Sequence, residues 1–214
     1  MRLRNVKRAF ERIDDFEAIV TEPHQYKGKW SEFFGNDHPI HIEIGMGKGQ
    51  FIINHAIAQP EINYIGFEKF TVVLVKALEN IERLDTKLDN LCVVRYDAEQ
   101  LLDLFDDNEV ERIYLNFSDP WPKERHYKRR LTYRDFLNKY KQVINEEGSV
   151  ILKTDNDGLF DFSLKEMKAV GMKFEKMTHD LHMSEFIQGN VMTEYEEKFH
   201  GIGKNIHMVE GKYD

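Results

Sequence analysis

From residue 40 onward, short apolar runs alternate with longer stretches of helical period, and this alternation restricts the possible folds more than any other feature of the chain. "IHIEI" (40–44), "INYIGFE" (62–68), "LCVVRY" (91–96), "RIYLNF" (112–117) and "SVILKTD" (149–155) read as strands. Between them lie helical segments at 48–58 (stopped before Pro60), 70–84, 98–105, 132–144 and 157–170. In the segment 70–84, Leu74, Leu78 and Ile81 share one face, the mark of an amphipathic helix. Strand–helix alternation of this length implies an α/β fold with a parallel sheet covered on both faces. "MKFEKMTHDL" (172–181) reads as a further strand, and "EYEEKFHGIGKNIHMVEG" as a strand pair turning at 201–205. No repeat, low-complexity tract or linker divides the chain. The expected organisation is a basic arm over 1–39, packed on a single domain over 40–214.

Charge is unevenly distributed. The formal net charge is −8 over 214 residues, yet residues 1–12 carry +4 and residues 123–141 carry +6. Those two segments hold +10 between them, so the remainder carries −18. A body that acidic repels nucleic acid unless the basic segments form the docking face; otherwise they are solvated, salt-bridged helix faces. The single cysteine, Cys92, lies in an apolar run and reads as a core residue, consistent with the reducing cytoplasm. Charges interrupt the N-terminus before any signal-like apolar core, and no run approaches the ~18 apolar residues that span a bilayer. The expectation is a soluble cytoplasmic protein with no membrane partner.

In open α/β sheets, ligands bind beyond the carboxyl ends of the strands. Glu43, Glu68, Asp97 and Asp119 stand at four successive strand ends. Any one of them could cap the following helix, but four together crowd like charge at one edge unless a cation or several donors sit there. The first turn, "EIGMGKGQF", has glycines at 45, 47 and 49, which allow a tight turn and close backbone approach. A dinucleotide fingerprint would need glycine at position 50, where Gln50 stands, and no Gly-Lys-Ser/Thr closes a phosphate loop. Glu68, 23 residues after Gly45, suits a grip on ribose hydroxyls. A pyrophosphate would be repelled by this rim. S-adenosylmethionine, which arrives net positive, suits it.

The stretch "FSDPWPKERHYKRR" (117–130) joins Asp119 and two prolines to a dense basic run. Together with "EIGMGKGQF", "GFEK", "YDA", "LKTDN" and "TEYEEKFHGIGKNI", it resembles the bacterial tRNA (guanine-N7-)-methyltransferase family (TrmB) from about residue 40 to the C-terminus. The basic N-terminal stretch is similar as well. The resemblance implies a Rossmann-like, seven-stranded S-adenosylmethionine-dependent methyltransferase fold, mostly parallel with an antiparallel C-terminal strand. It implies cofactor binding by Glu43, Gly45, Glu68, Asp97 and Asp119, and tRNA-substrate contacts from Lys123, Asp155 and Thr193, Glu194, Tyr195 and Glu196. It assigns RNA interaction to Arg125, His126, Tyr127, Lys128, Arg129 and Arg130. The implied reaction methylates N7 of the variable-loop guanine at position 46 of tRNA, by a monomer or homodimer. N7 carries an in-plane lone pair, so attack needs no prior deprotonation, no catalytic His, Ser or Cys, and no metal. Asp119 is the expected catalytic residue, placed to orient the base and to stabilise the charge that moves onto it. Pro120 and Pro122 would stiffen its loop. Trp121 reads equally as a base-stacking residue or a hydrophobic plug.

Overall fold

Every residue of Ile40–Ile44 (β2), Asn63–Phe67 (β3) and Leu91–Val94 (β4) is buried. Parallel strands covered on both faces have this pattern and read as continuous apolar runs. The structure, a computed structural model, describes residues 12–214. The chain forms two compact units divided after Phe105.

In the first unit the strands lie in the order β1-β4-β3-β2, where β1 is Ile19–Val20, and all the pairs are parallel. The helices Gln50–Ala58 (α2) and Thr71–Glu82 (α3) place Ile52, Ile53, Leu74 and Leu78 in one apolar cluster with Tyr64, Leu91 and Val93. A short helix, Trp30–Phe34 (α1), buries Trp30 completely, and its indole N–H donates to the Leu104 carbonyl at 2.8 Å. Burial pushes the Cys92 thiol up, as a core position requires. Of the basic arm, Arg2, Arg4, Lys7 and Arg8 lie outside the described residues. Arg12 pairs with Glu79 at 3.1 Å and lies over the Phe16 ring.

In the second unit Val110–Asn116 (β5) pairs parallel with Ile144–Thr154 (β6). His207–Tyr213 (β8) then runs antiparallel to both β6 and Met172–Thr178 (β7), lying between them. The helix Arg134–Val143 (α4) runs directly into β6, and Asp157–Ala169 (α5) connects β6 to β7. Leu137, Tyr140, Val150, Leu152, Phe160, Met167 and Val209 fill this unit's interior.

The architecture is thus α/β, mostly parallel, with an antiparallel C-terminal strand. Two details differ from the sequence reading. Eight strands stand among the described residues rather than seven; the extra one, β1, has two residues and is too short to show a hydrophobic period. The segment read as the first of two closing strands is instead a helix, Glu194–Gly201 (α6). Thr193 caps it by accepting from the Glu196 N–H at 2.9 Å, with acids in its first turn and Lys198 and His200 in its last.

Candidate active site

The glycine turn that follows β2 is built by backbone geometry. Gly45, Gly47 and Gly49 all have positive φ (79°, 60° and 83°), a region that L side chains rarely occupy. The Gly45 and Met46 N–H groups both donate to the Phe67 carbonyl at 2.9 Å, which ties the turn to the end of β3. A methyl group on Gly66 would collide with the Met46 thioether, so a larger residue in "GFEK" would force the Met46 side chain to move. At Gly45 and Gly47, by contrast, a Cβ would meet nothing within 4 Å. The turn therefore opens onto space, and its backbone is accessible to a ligand.

Glu68 borders this turn. It is buried, and its carboxylate accepts from the Phe70 N–H at 2.8 Å and the Gly47 N–H at 3.3 Å. Burial raises its pKa above the ordinary glutamate value, against the lowering effect of these N–H groups and of Lys69. A carboxylate offers about four lone-pair sites, more than its backbone donors at Gly47, Lys69 and Phe70 fill, so acceptor capacity remains for a ribose hydroxyl. Glu43, on β2, is buried. Asp97 is half-buried; one oxygen caps the 3₁₀ turn Ala98–Asp103 by accepting from Glu99 N–H at 3.1 Å, and the other faces Lys69 at 3.6 Å. The turn, its open side and these acids fit S-adenosylmethionine better than a polyphosphate.

In the second unit, β5 delivers the chain to the Asp119 turn. Phe117 and Trp121, both bulky and neither glycine, hold positive φ (49° and 42°) on either side of Asp119. Such positions are unfavourable and persist only where surrounding structure over-determines them, which is a frequent feature of functional loops. Asp119 is exposed, and among the described residues its carboxylate meets no hydrogen-bond or ion-pair partner. The basic run then folds as the 3₁₀ turn Glu124–Arg129. Lys123, Arg125, Lys128 and Arg129 are exposed, and His126 approaches Trp121 edge-on with ring centres 5.7 Å apart. Tyr127 packs edge-on against Tyr133. Arg130 is turned inward. Its Nε donates to the Pro120 carbonyl at 2.9 Å and its Nη2 to the Trp121 carbonyl at 3.2 Å.

The remaining substrate candidates gather beyond β6. Asp155 accepts from Lys204 Nζ at 2.8 Å. Tyr195 is 42% exposed, lies against Phe117 at 4.8 Å and stacks on Phe199 at 4.1 Å, which makes an aromatic ledge beside the strained residue preceding Ser118 and Asp119. Burial, then the Asp155 charge, raises the Tyr195 phenol, which keeps its proton. Thr193 is engaged as the α6 cap, and Glu194 is exposed in the first turn. The Glu196 side chain is fully buried; it accepts from Lys153 at 2.6 Å, from Asn190 at 2.7 Å, and faces the His182 ring at 3.0 Å. Sequence reasoning did not single out Lys153, Lys204, Phe117 or Phe199. The Lys153–Glu196 pair spans 43 positions, and no local spacing announces it.

Among the described residues no group of three or more His, Cys, Asp or Glu is placed to hold a metal ion, and no helix is long and apolar enough to cross a membrane. Residues 37–209 match the family described as "Putative methyltransferase" (Methyltransf_4), so the fold and the glycine turn belong to a methyltransferase. The chain is 54% identical over 209 residues to the tRNA (guanine-N(7)-)-methyltransferase of Lachnoclostridium phytofermentans, covering 98% of this chain and 97% of the relative. It belongs to the tRNA (guanine-N(7)-)-methyltransferase family. Two of the solved structures that share the fold illustrate it. One, described as an antibiotic-related methyltransferase, has a TM-score of 0.65 at 21% identity, over 86% of this chain and 93% of that one. The other, a SAM-dependent methyltransferase from Aquifex aeolicus, has a TM-score of 0.57 at 13% identity over 100% of both chains.

Proposed function

We propose that this protein methylates N7 of a guanine in tRNA, with S-adenosylmethionine as donor, and that the target is the variable-loop guanine at position 46. The observation that carries this reading is that one chain holds both an open glycine turn edged by Glu68, in its first unit, and, in its second, a strained turn presenting an unpaired Asp119 ahead of a basic run. When bound, S-adenosylmethionine supplies an electrophilic methyl group on a sulfonium.

Glu68 receives the ribose hydroxyls, and the open backbone at Gly45 and Gly47 lets the cofactor approach closely. Glu43 and Asp97 add negative charge that favours a net cation over a nucleotide phosphate. Asp119 accepts from the guanine N1–H and amino group, orienting N7, and its charge stabilises the positive charge that develops on the purine. Tyr195, on its ledge, offers the base a stacking face, while Asp155 offers a second acceptor once Lys204 moves away. Thr193 and Glu196 act on the substrate through the segment they hold: the first caps α6 and the second anchors it to β6. Lys123, Arg125, Lys128 and Arg129 hold phosphates, which position the RNA without choosing the base. In-line placement of N7 supplies much of the rate enhancement, since no proton must first be removed.

Mass spectrometry of nucleosides tests this directly. Unmodified tRNA incubated with the protein and methyl-labelled S-adenosylmethionine should yield labelled N7-methylguanosine. The same tRNA with adenine at position 46 should yield none. Label appearing in another nucleoside, or persisting in the altered tRNA, would overturn the assignment.

A further inference from the structure

We infer that Arg130 is a positioning residue that fixes the shape of the Asp119 turn and, unlike its exposed neighbours, does not hold phosphate. This rests on the methyltransferase reading of that turn. The turn is short of donors, because Pro120 and Pro122 have no N–H to offer. It also holds Trp121 at a φ of 42°, which a bulky residue leaves unless something restrains it. The restraint comes from nine and ten positions further along the chain. The Arg130 guanidinium donates to the Pro120 and Trp121 carbonyls at 2.9 and 3.2 Å, two bonds from one planar fork. Its plane is backed by the Phe162 ring of α5, 4.4 Å from the guanidinium carbon to the ring centre. Arg129 lies over the Trp121 ring at 4.9 Å, so consecutive arginines grip the turn by its carbonyls and by its indole.

The choice of acceptor matters chemically. Asp119 lies one residue before Pro120, yet the guanidinium bonds the two carbonyls and leaves the carboxylate without a partner among the described residues. The turn is held while the carboxylate that must face the base stays unpaired. A lysine would not substitute fully, since an ammonium lacks both the fork and the flat face that meets Phe162.

The test compares Arg130→Ala, Arg130→Lys and Lys128→Ala in the full chain, by tRNA filter binding across salt concentrations, steady-state methyl transfer, and acrylamide quenching of tryptophan emission. Trp30 is 0% exposed, so the quenchable emission reports Trp121. Arg130→Ala should lower kcat on the order of tenfold to a hundredfold, as a small misplacement of a reacting group does. Its tRNA affinity and salt slope should stay at wild-type values, while Trp121 quenching rises. Arg130→Lys should fall between wild type and Arg130→Ala in both kcat and quenching. Lys128→Ala should instead weaken binding and flatten the log–log salt slope by about one unit, with Trp121 quenching unchanged. Phe162→Leu, which removes the backing ring (itself edge-on to Tyr127 at 6.5 Å) and leaves the exposed Lys123, Arg125, Lys128 and Arg129 in place, should reproduce the Arg130→Ala signature and serves if that variant does not fold. A flattened salt slope with kcat retained in Arg130→Ala, or Trp121 quenching at the wild-type level, would overturn the inference. A wild-type protein that transfers no methyl group would instead sink the enzymatic reading, and the salt slope and quenching would still decide what Arg130 does.

Discussion

Replacing Lys153 with methionine keeps the aliphatic stem and deletes an ammonium that sits 4% exposed against a fully buried carboxylate. That ammonium donates to Glu196 at 2.6 Å, to the Val191 carbonyl at 2.9 Å and to Asn190 at 3.1 Å. Removing one partner of a buried ion pair costs about 3–5 kcal/mol, because the other charge is left without compensation. Glu196 keeps the Asn190 amide at 2.7 Å and the His182 ring at 3.0 Å, which places the expected loss near the lower end, about 3 kcal/mol. For a chain of this length each kcal/mol moves Tm by about 2–4 °C, so Lys153→Met should melt roughly 6–12 °C below wild type. Urea titration with a shared m-value would give the free energy directly. The double variant Lys153→Met/Glu196→Leu removes both charges together and should recover at least about 1 kcal/mol relative to the single variant. A single variant within about 1 kcal/mol of wild type, or a double variant no more stable than the single, would refute the reasoning. In either case Glu196 would not be the anchor of the segment that carries Thr193 and Tyr195.

Three further outcomes are expected. Burial raises the Glu68 pKa, and the ribose contacts need its charged form, so S-adenosylmethionine affinity measured by calorimetry should begin to fall at a pH above the ordinary value of 4.5; Glu68→Gln should bind roughly 10- to 100-fold more weakly and lose that pH dependence, as loss of a charged hydrogen bond implies, and an identical pH profile in the variant would count against the assignment. The hydrogen bond from Arg134, at 2.8 Å in its closest contact, lowers the Glu166 pKa despite the opposing effect of burial, so its stabilising contribution is present above 4.5 and fades as pH falls through the lowered value; Arg134→Ala should therefore differ from wild type in thermal melts at neutral pH and converge with it in acid, and a constant gap would disprove the linkage. Arg125→Ala combined with Lys128→Ala should lower the salt slope of tRNA binding by about 1–2 units without changing which guanine is methylated, and an unchanged slope would place the phosphate face elsewhere.

What the sequence determined by itself lies where short-range physics is sufficient. Five apolar runs too short for helices, each followed by a turn and a helical period, specify buried parallel strands, because only that arrangement hides both faces of "IHIEI" or "RIYLNF". Glycines at 45, 47 and 49 specify a positive-φ turn, since no other residue adopts that backbone so readily. The positions of Glu43, Glu68, Asp97 and Asp119 at strand ends followed from the same pattern. Tertiary structure decided what each polar side chain does there. "TEYE" carries a helix-capping signal, yet the helix becomes evident only once Thr193 is seen to cap it and Glu196 to turn away to Lys153, 43 positions earlier. Arg130 reads locally as one more cation in a basic run; only the fold brings two orphan carbonyls and the Phe162 ring to it. The positive φ of Phe117 and Trp121 has no local signature at all, since a bulky residue adopts that conformation only when distant contacts outweigh its own preference. Backbone preference acts over a few residues and can be read along the chain. The partner of a buried charge is chosen by desolvation, which exists only after the chain has closed around it.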